Sequence, residues 1–254
     1  MIKFFRKIRR TLLTENKYSK YVLYAIGEVA LVVIGILIAL SLNNSNDHKK
    51  RKVQEVKILK EIKSELDFVL NDIKEDIVGY ERNLNSTEII YSSILNQEDY
   101  TDSLKRHYVN MFAKEEFLAS TSAFESLQSL GLEIVSNDSI RDGLIRVYLY
   151  IDKAANDHSL TESIEQLQTT LDPHIQVDRV RLKSDSARTW INTWEIPYTF
   201  VNYESLLSDD KFLYALIDLL KMRRLRVFLY GQYRAGLVWH IGNVEKEINR
   251  LENN

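Results

Sequence analysis

Apolar side chains occupy every helical face between Tyr21 and Leu42, which read YVLYAIGEVALVVIGILIALSL with one charge, Glu28. As a helix this run rises about 33 Å, enough for a bilayer core of about 30 Å. A soluble core helix seldom stays apolar all round for so long. The pattern predicts an N-terminal transmembrane helix. A cleaved signal peptide fits less well, because its apolar region is about 7–15 residues and ends at a small-x-small site. Here the run leaves through Asn43, Asn44, Ser45, Asn46 and Asp47, so an uncleaved signal-anchor is expected.

Beyond the polar exit the period changes. Leu59, Ile62, Leu66, Val69 and Ile73 step by three and four. Ile77, Tyr80, Leu84, Thr87, Tyr91 and Ile94 follow after an added step of four. This predicts a helix from about Lys49 to Asn96 with a heptad seam and one stutter near Ile73–Ile77. It can be continuous with the membrane helix. Shorter helices are predicted over Ser103–Lys114 and from Ser120 or Ser122 to Gly131. Another starts at Asn137 as N-cap, with Ile164, Leu167 and Leu171 extending it up to Pro173. Residues 173 to 207 are irregular. Ser208 is expected to cap a last helix with Phe212, Leu216, Leu219, Leu225, Leu229, Val238, Ile241, Val244, Ile248 and Leu251 as its stripe. Only the first long helix matches it in length, so the two are expected to pack antiparallel. The fold class is all-α: an N-terminal transmembrane helix followed by an elongated antiparallel helical bundle, with coiled-coil-like long first and last helices. The expected divisions are 1–20 (basic amphipathic cytoplasmic tail), 21–42 (transmembrane helix) and 43–254 (helical bundle domain).

Composition supports this. The chain has 254 residues with only 2 Pro and 8 Gly, which suits few, long elements. It has no Cys, which removes disulfides and thiolate chemistry. A net charge of −2 gives no global field for nucleic acid. Seven Lys or Arg precede the apolar run and six follow it closely. The positive-inside rule is nearly balanced, but long C-terminal domains translocate largely regardless of charge. The expected location is the inner membrane, single-pass, N-terminus inside and helical domain periplasmic. In the tail, Ile2, Phe5, Ile8 and Leu12 share a side opposite Lys3, Arg6, Lys7, Arg9 and Arg10. That is either a lipid-contacting interfacial helix or a plain topogenic flank.

The start MIKFFRKIRRTLLTENKYSKYVLYAIGEVALVVIGILIALSLNN resembles an uncharacterised family of single-span membrane proteins of Gram-negative bacteria, domain of unknown function 6090. STSAFESLQSLGLEIVSNDSIRDGLIRVY is similar to its second block: a Ser/Ala-aromatic-Glu-x-Leu helix, a Gly turn, then Asn-Asp opening a helix. The resemblance covers essentially the full chain and is strongest at 1–60 and 120–150. The family carries a tryptophan soon after the paired Asn, where this chain has Ser45 and Asn46. The resemblance implies a membrane-tethered helical protein and no activity.

Candidate chemistry is sparse. A carboxylate in hydrocarbon is expensive, so Glu28 should face a partner or be protonated. With Gly27, Leu31, Gly35 and Ala39 it forms a candidate transmembrane contact, Gly35 and Ala39 being a small-xxx-small pair. The plain alternative is a snorkelling Glu with scattered glycines. Trp190, Trp194 and Tyr198 are a candidate partner surface, though such clusters more often plug a bundle end. Arg223, Arg224 and Arg226 read as a solvated face, and Gly231, Gly236 and Gly242 as close-packing positions. No Glu-x-x-His pair, zinc signature or phosphate loop occurs, so no catalytic residue, cofactor or metal is expected. The reading is a membrane-anchored helical scaffold or interaction protein. Its expected partners are membrane lipid and a second copy or another membrane protein. The alternatives are an accessory subunit of an energised membrane complex using Glu28, and an enzyme with an unrecognised site in the helical domain.

Overall fold

The computed structural model describes residues 18–177 and 198–253. The basic tail with Lys3, Arg6, Lys7, Arg9 and Arg10 lies outside them. The described residues are almost wholly helical: α1 Tyr18–Leu95, α2 Asp102–Phe112, α3 Ser122–Leu130, α4 Asp138–Ala155, α5 Ser159–Leu171, α6 Tyr203–Leu207 and α7 Asp210–Asn253. Short 3₁₀ turns occupy Leu132–Ile134 and Asp172–His174. A small antiparallel ribbon joins β1 Ile175–Val177 to β2 Tyr198–Phe200, with Ile175 opposite Phe200. The chain divides into two compact units, Met1–Val56 and Lys57–Asn254.

In the first unit the described side chains from Ile26 to Leu42 are exposed, except Glu28, which is half-buried. α1 is the one helix among the described residues long and apolar enough to cross a membrane; its apolar window has a mean hydropathy of 2.6 and none of it is buried.

In the second unit, α1 and α7 run antiparallel. Lys60 Nζ meets Glu252 Oε1 at 2.5 Å, the Tyr80 and Tyr230 rings touch edge-on at 4.8 Å, and Arg224 Nη2 reaches Glu88 Oε1 at 2.8 Å. As numbers rise on one helix they fall on the other. The α1 seam needs no stutter. Its buried positions are Leu59, Ile62, Leu66, Val69, Ile73, Asp76, Tyr80, Asn83, Thr87, Ile90 and Ile94, unbroken steps of three and four. Leu84 and Tyr91 are only half-buried. The expected extra step arose because Asp76 and Asn83 are polar at seam positions. The α7 stripe is corrected in the same way. Leu225 and Val238 are exposed, while Arg223, Arg226, Tyr230 and Leu237 are buried between Leu219 and Ile241.

Helix ends follow local chemistry. α1 stops in a Schellman turn: Gln97 adopts φ 53°, Glu98 N–H donates to Ser93 O at 3.0 Å and Gln97 N–H to Ile94 O at 3.2 Å. Gly131, at φ 94°, ends α3. Asn137 caps α4 as expected, accepting from the N–H groups of Ser139 and Ile140. The fourth predicted helix is two helices, parted at Asn156–His158. The cap of α7 is Asp209, not Ser208: its Oδ1 accepts from Lys211 N at 2.8 Å and Phe212 N at 3.3 Å. Ser208 ends α6 instead.

Candidate functional site

The second unit buries charges that a hydrophobic reading of the sequence does not find. Two of them terminate helices. Glu65, 8 % exposed on α1, accepts at Oε2 from Ser120 Oγ, Ser122 Oγ and Ala123 N at 3.0, 3.0 and 2.9 Å. Its Oε1 accepts from Tyr148 O–H at 2.5 Å. Ser120 and Ser122, expected as caps themselves, therefore donate to a carboxylate from a distant helix. That anion sits at the N-terminus of α3, where unpaired N–H groups and the macrodipole favour it. Burial pushes the Glu65 carboxyl up, but the bonds from Tyr148, Ala123, Ser122 and Ser120 outweigh it and hold it below its usual value. The Phe124 and Tyr148 rings stack at 4.2 Å and close the spot.

Arg223 is the mirror case. Only 1 % of it is exposed, and Nη2 donates to Met111 O at 2.5 Å and Ala113 O at 2.9 Å. These are terminal carbonyls of α2, so a cation from α7 meets the negative end of that helix. Burial lowers Arg223 to about 10, still well above neutrality. Arg226 bonds Asp157 Oδ2 at 3.2 Å and lies 5.9 Å from the centre of the Tyr230 ring. Asp157 in turn accepts from Ser159 N and Oγ at the start of α5. Burial would raise Asp157, but those bonds and the Arg226 charge keep it low. So Arg223 and Arg226 are not on a solvated face. Only Arg224 of that trio is exposed, pairing with Glu88.

Between these caps lies a less satisfied patch. Asp76 Oδ2, Asn83 Oδ1, Ser93 Oγ and two nitrogens of Arg223, Nε and Nη1, are buried without a hydrogen-bond partner. Asn83 Nδ2 donates to Glu115 Oε1 at 3.3 Å, and the Glu115 carboxyl lies where a Cβ on Gly79 would sit. Burial, with the charges of Asp72, Glu115 and Glu75, pushes Asp76 up to about 7. The register could have revealed this layer: continuing the three-four steps through Asp76 and Asn83, and through Arg223 and Arg226, places all four inside.

Ser205, His174 and Asp209 line up like a nucleophile triad, a grouping the sequence did not suggest. Ser205 Oγ donates to Asn202 O at 2.8 Å and lies 2.9 Å from His174 Nδ1. His174 Nε2 donates to Asp209 Oδ2 at 2.8 Å. These contacts fasten the 3₁₀ turn Asp172–His174 to α6 and to the start of α7. The His174 bond, against burial and with help from Phe212 and Lys211 N–H, holds Asp209 low.

In the first unit, Gly27, Glu28, Leu31, Gly35 and Ala39 fall within about a third of the helix circumference at about 100° per residue. A Cβ added at Gly27 or Gly35 would meet nothing within 4 Å. Trp190 and Trp194 lie outside the described residues, and Tyr198 enters only through its backbone in β2. Their neighbours Phe200 and Tyr203 pack against Tyr100 and Tyr108, with ring centres 4.9–6.4 Å apart.

An exposed apolar helix and an antiparallel helical domain, in which buried Glu65 and Arg223 hold helix ends, define an all-α protein with one candidate membrane helix among the described residues. Residues 28–149 match the model of a family of unknown function, DUF6090. The matched stretch is narrower than the whole-chain likeness read from the sequence. No curated protein and no solved structure matches the chain.

Proposed function

We propose that the protein is a membrane-anchored helical scaffold. Its apolar helix crosses the inner membrane of a Gram-negative bacterium once, with the N-terminus in the cytoplasm and the helical domain in the periplasm. The single supporting observation is the apolar window of α1, none of which the protein buries. Leaving so much apolar side chain in water would cost about 25 cal/mol per Å², so a hydrocarbon surrounding is the natural one. The chemistry of the domain agrees with a scaffold, since Glu65, Arg223 and Asp157 are engaged by helix ends. The face with Gly27, Glu28, Leu31, Gly35 and Ala39 is the contact with a second copy or another membrane protein, because small residues let helices approach closely.

The chain has no Cys, so single cysteines report cleanly. After alkaline carbonate washing the protein should stay in the pellet. Gly35→Cys should give disulfide-linked dimers in native membranes, and Val33→Cys, on the opposite side, should not. Adding Glu28→Gln should lower the dimer yield roughly fivefold, the equivalent of about 1 kcal/mol. Ser64→Cys should react with an impermeant maleimide in intact spheroplasts. Release by carbonate would end the anchoring reading, and equal crosslinking from both sides would end the contact reading.

A further inference from the structure

Two half-open cavities of about 390 Å³ each lie between α4 and α7 and share His240 as a common wall. Each is in the range of small-molecule sites. Their chemistry differs from end to end. The first is floored by Ile73, Val147, Ile151 and Leu237, all nearly inaccessible to water. The second is lined by Asn137, Asn243, Lys246 and Arg250, with Glu247 taken up by Arg250 and Asn137. Together they run from Leu229 to Arg250, about 30 Å of helix.

Two glycines shape this groove. At Gly143 a Cβ would come within 3.2 Å of the His240 ring, so that ring has its place because α4 carries no side chain there. Burial, with the nearby Arg146 charge, lowers the His240 pKa and favours a neutral ring. Gly236 is the opposite case. It lines the apolar cavity inside α7, and a Cβ there would meet nothing within 4 Å. A glycine inside a helix costs about 1 kcal/mol relative to alanine. Among the described residues no neighbour requires this one, contrary to the close packing expected from the sequence. Its effect is to widen the cavity.

We propose that this groove binds a single-chain amphiphile, with its hydrocarbon tail over Ile73, Val147 and Leu237 and an anionic head at Lys246, Arg250 being already paired with Glu247. The apolar floor excludes a fully polar ligand, and Lys246 at the far end selects the sign of the head.

The test uses the full chain in nanodiscs of neutral phosphatidylcholine. One probe is a C16 fatty acid carrying a diazirine near its chain end, the second a lysophosphatidylglycerol with the same chain, the third the matching fatty alcohol. After photolysis, label should map to residues 147–154 and 229–240. Gly236→Leu fills the apolar end and is helix-compatible, so its melting curve should match the parent. It should cut groove labelling at least tenfold while any label in residues 25–42 is unchanged. Lys246→Glu should weaken labelling by both anionic probes about fivefold and leave the alcohol unaffected. Carboxylate and phosphodiester heads are told apart by which anionic probe saturates first. Label confined to 25–42, or groove label indifferent to Gly236→Leu, overturns the proposal and leaves the groove to a protein helix.

Discussion

Asp76→Asn should make the protein more stable at pH 8, by about 2–3 kcal/mol, while changing little near pH 4. Asp76 lies in the seam with Oδ2 unpaired and with Asp72, Glu75 and Glu115 around it. Its folded-state pKa, about 7, is raised above the ordinary 3.8. A raised carboxyl contributes its stability fully below the unfolded value. That contribution is lost as pH rises through the window between the two. Above about 7 both states are ionised, and the folded one holds a poorly solvated charge. Asparagine has the same shape and no charge to desolvate. Urea denaturation of parent and variant at pH 4.5 and pH 8 measures the difference. A variant less stable at pH 8, or an equal difference at both pH values, would refute the burial of a strained charge there.

Glu65→Ala should have the opposite sign and a larger size, a loss of about 3–5 kcal/mol at neutral pH. Four donors converge on this carboxylate: Ser120 Oγ, Ser122 Oγ, Ala123 N and Tyr148 O–H. Removing it leaves them facing a hole at the N-terminus of α3. Because its folded pKa is depressed, its contribution is present above the unfolded value and fades as pH falls through the folded one. The gap between parent and variant should therefore narrow in acid. Amide hydrogen exchange should speed up first over residues 120–130. A loss below about 1 kcal/mol, or protection unchanged in that segment, would show that the cap is dispensable.

These two residues also mark where the sequence stopped being readable. The long helices were legible because apolar side chains recur at three and four over many turns, from Leu59 to Ile73 and from Ile241 to Leu251. The apolar helical stretch from Tyr21 to Leu42 was legible for the converse reason, an absence of any polar face. Asp76, Asn83, Arg223 and Arg226 were not, because a period defined by hydrophobicity skips a polar side chain at an inward position. Whether such a residue can be buried depends on its partners. For Arg223 those are carbonyls over a hundred positions away, and for Glu65 they are serines over fifty positions away, beyond any local pattern. The break at Asn156–His158 was missed because neither Pro nor Gly marks it. Gly236 looked like a packing residue, since only coordinates reveal that the space beside it is vacant.

The pairing of Lys60 with Glu252 and of Glu88 with Arg224 carries a consequence for biosynthesis. The inward row from Leu59 to Ile94 meets residues 113–123 and Tyr148 around Glu65, Tyr80 and Asn83, but lacks its long α7 partner until residues beyond Asp210 have been made. At about 5–20 residues per second that is a delay on the order of ten seconds. Contacts of such high sequence separation also fold slowly. A nascent polypeptide of this kind exposes an adhesive ridge throughout translation, so depletion of holdase chaperones should lower its yield more than that of a helical protein built from local hairpins.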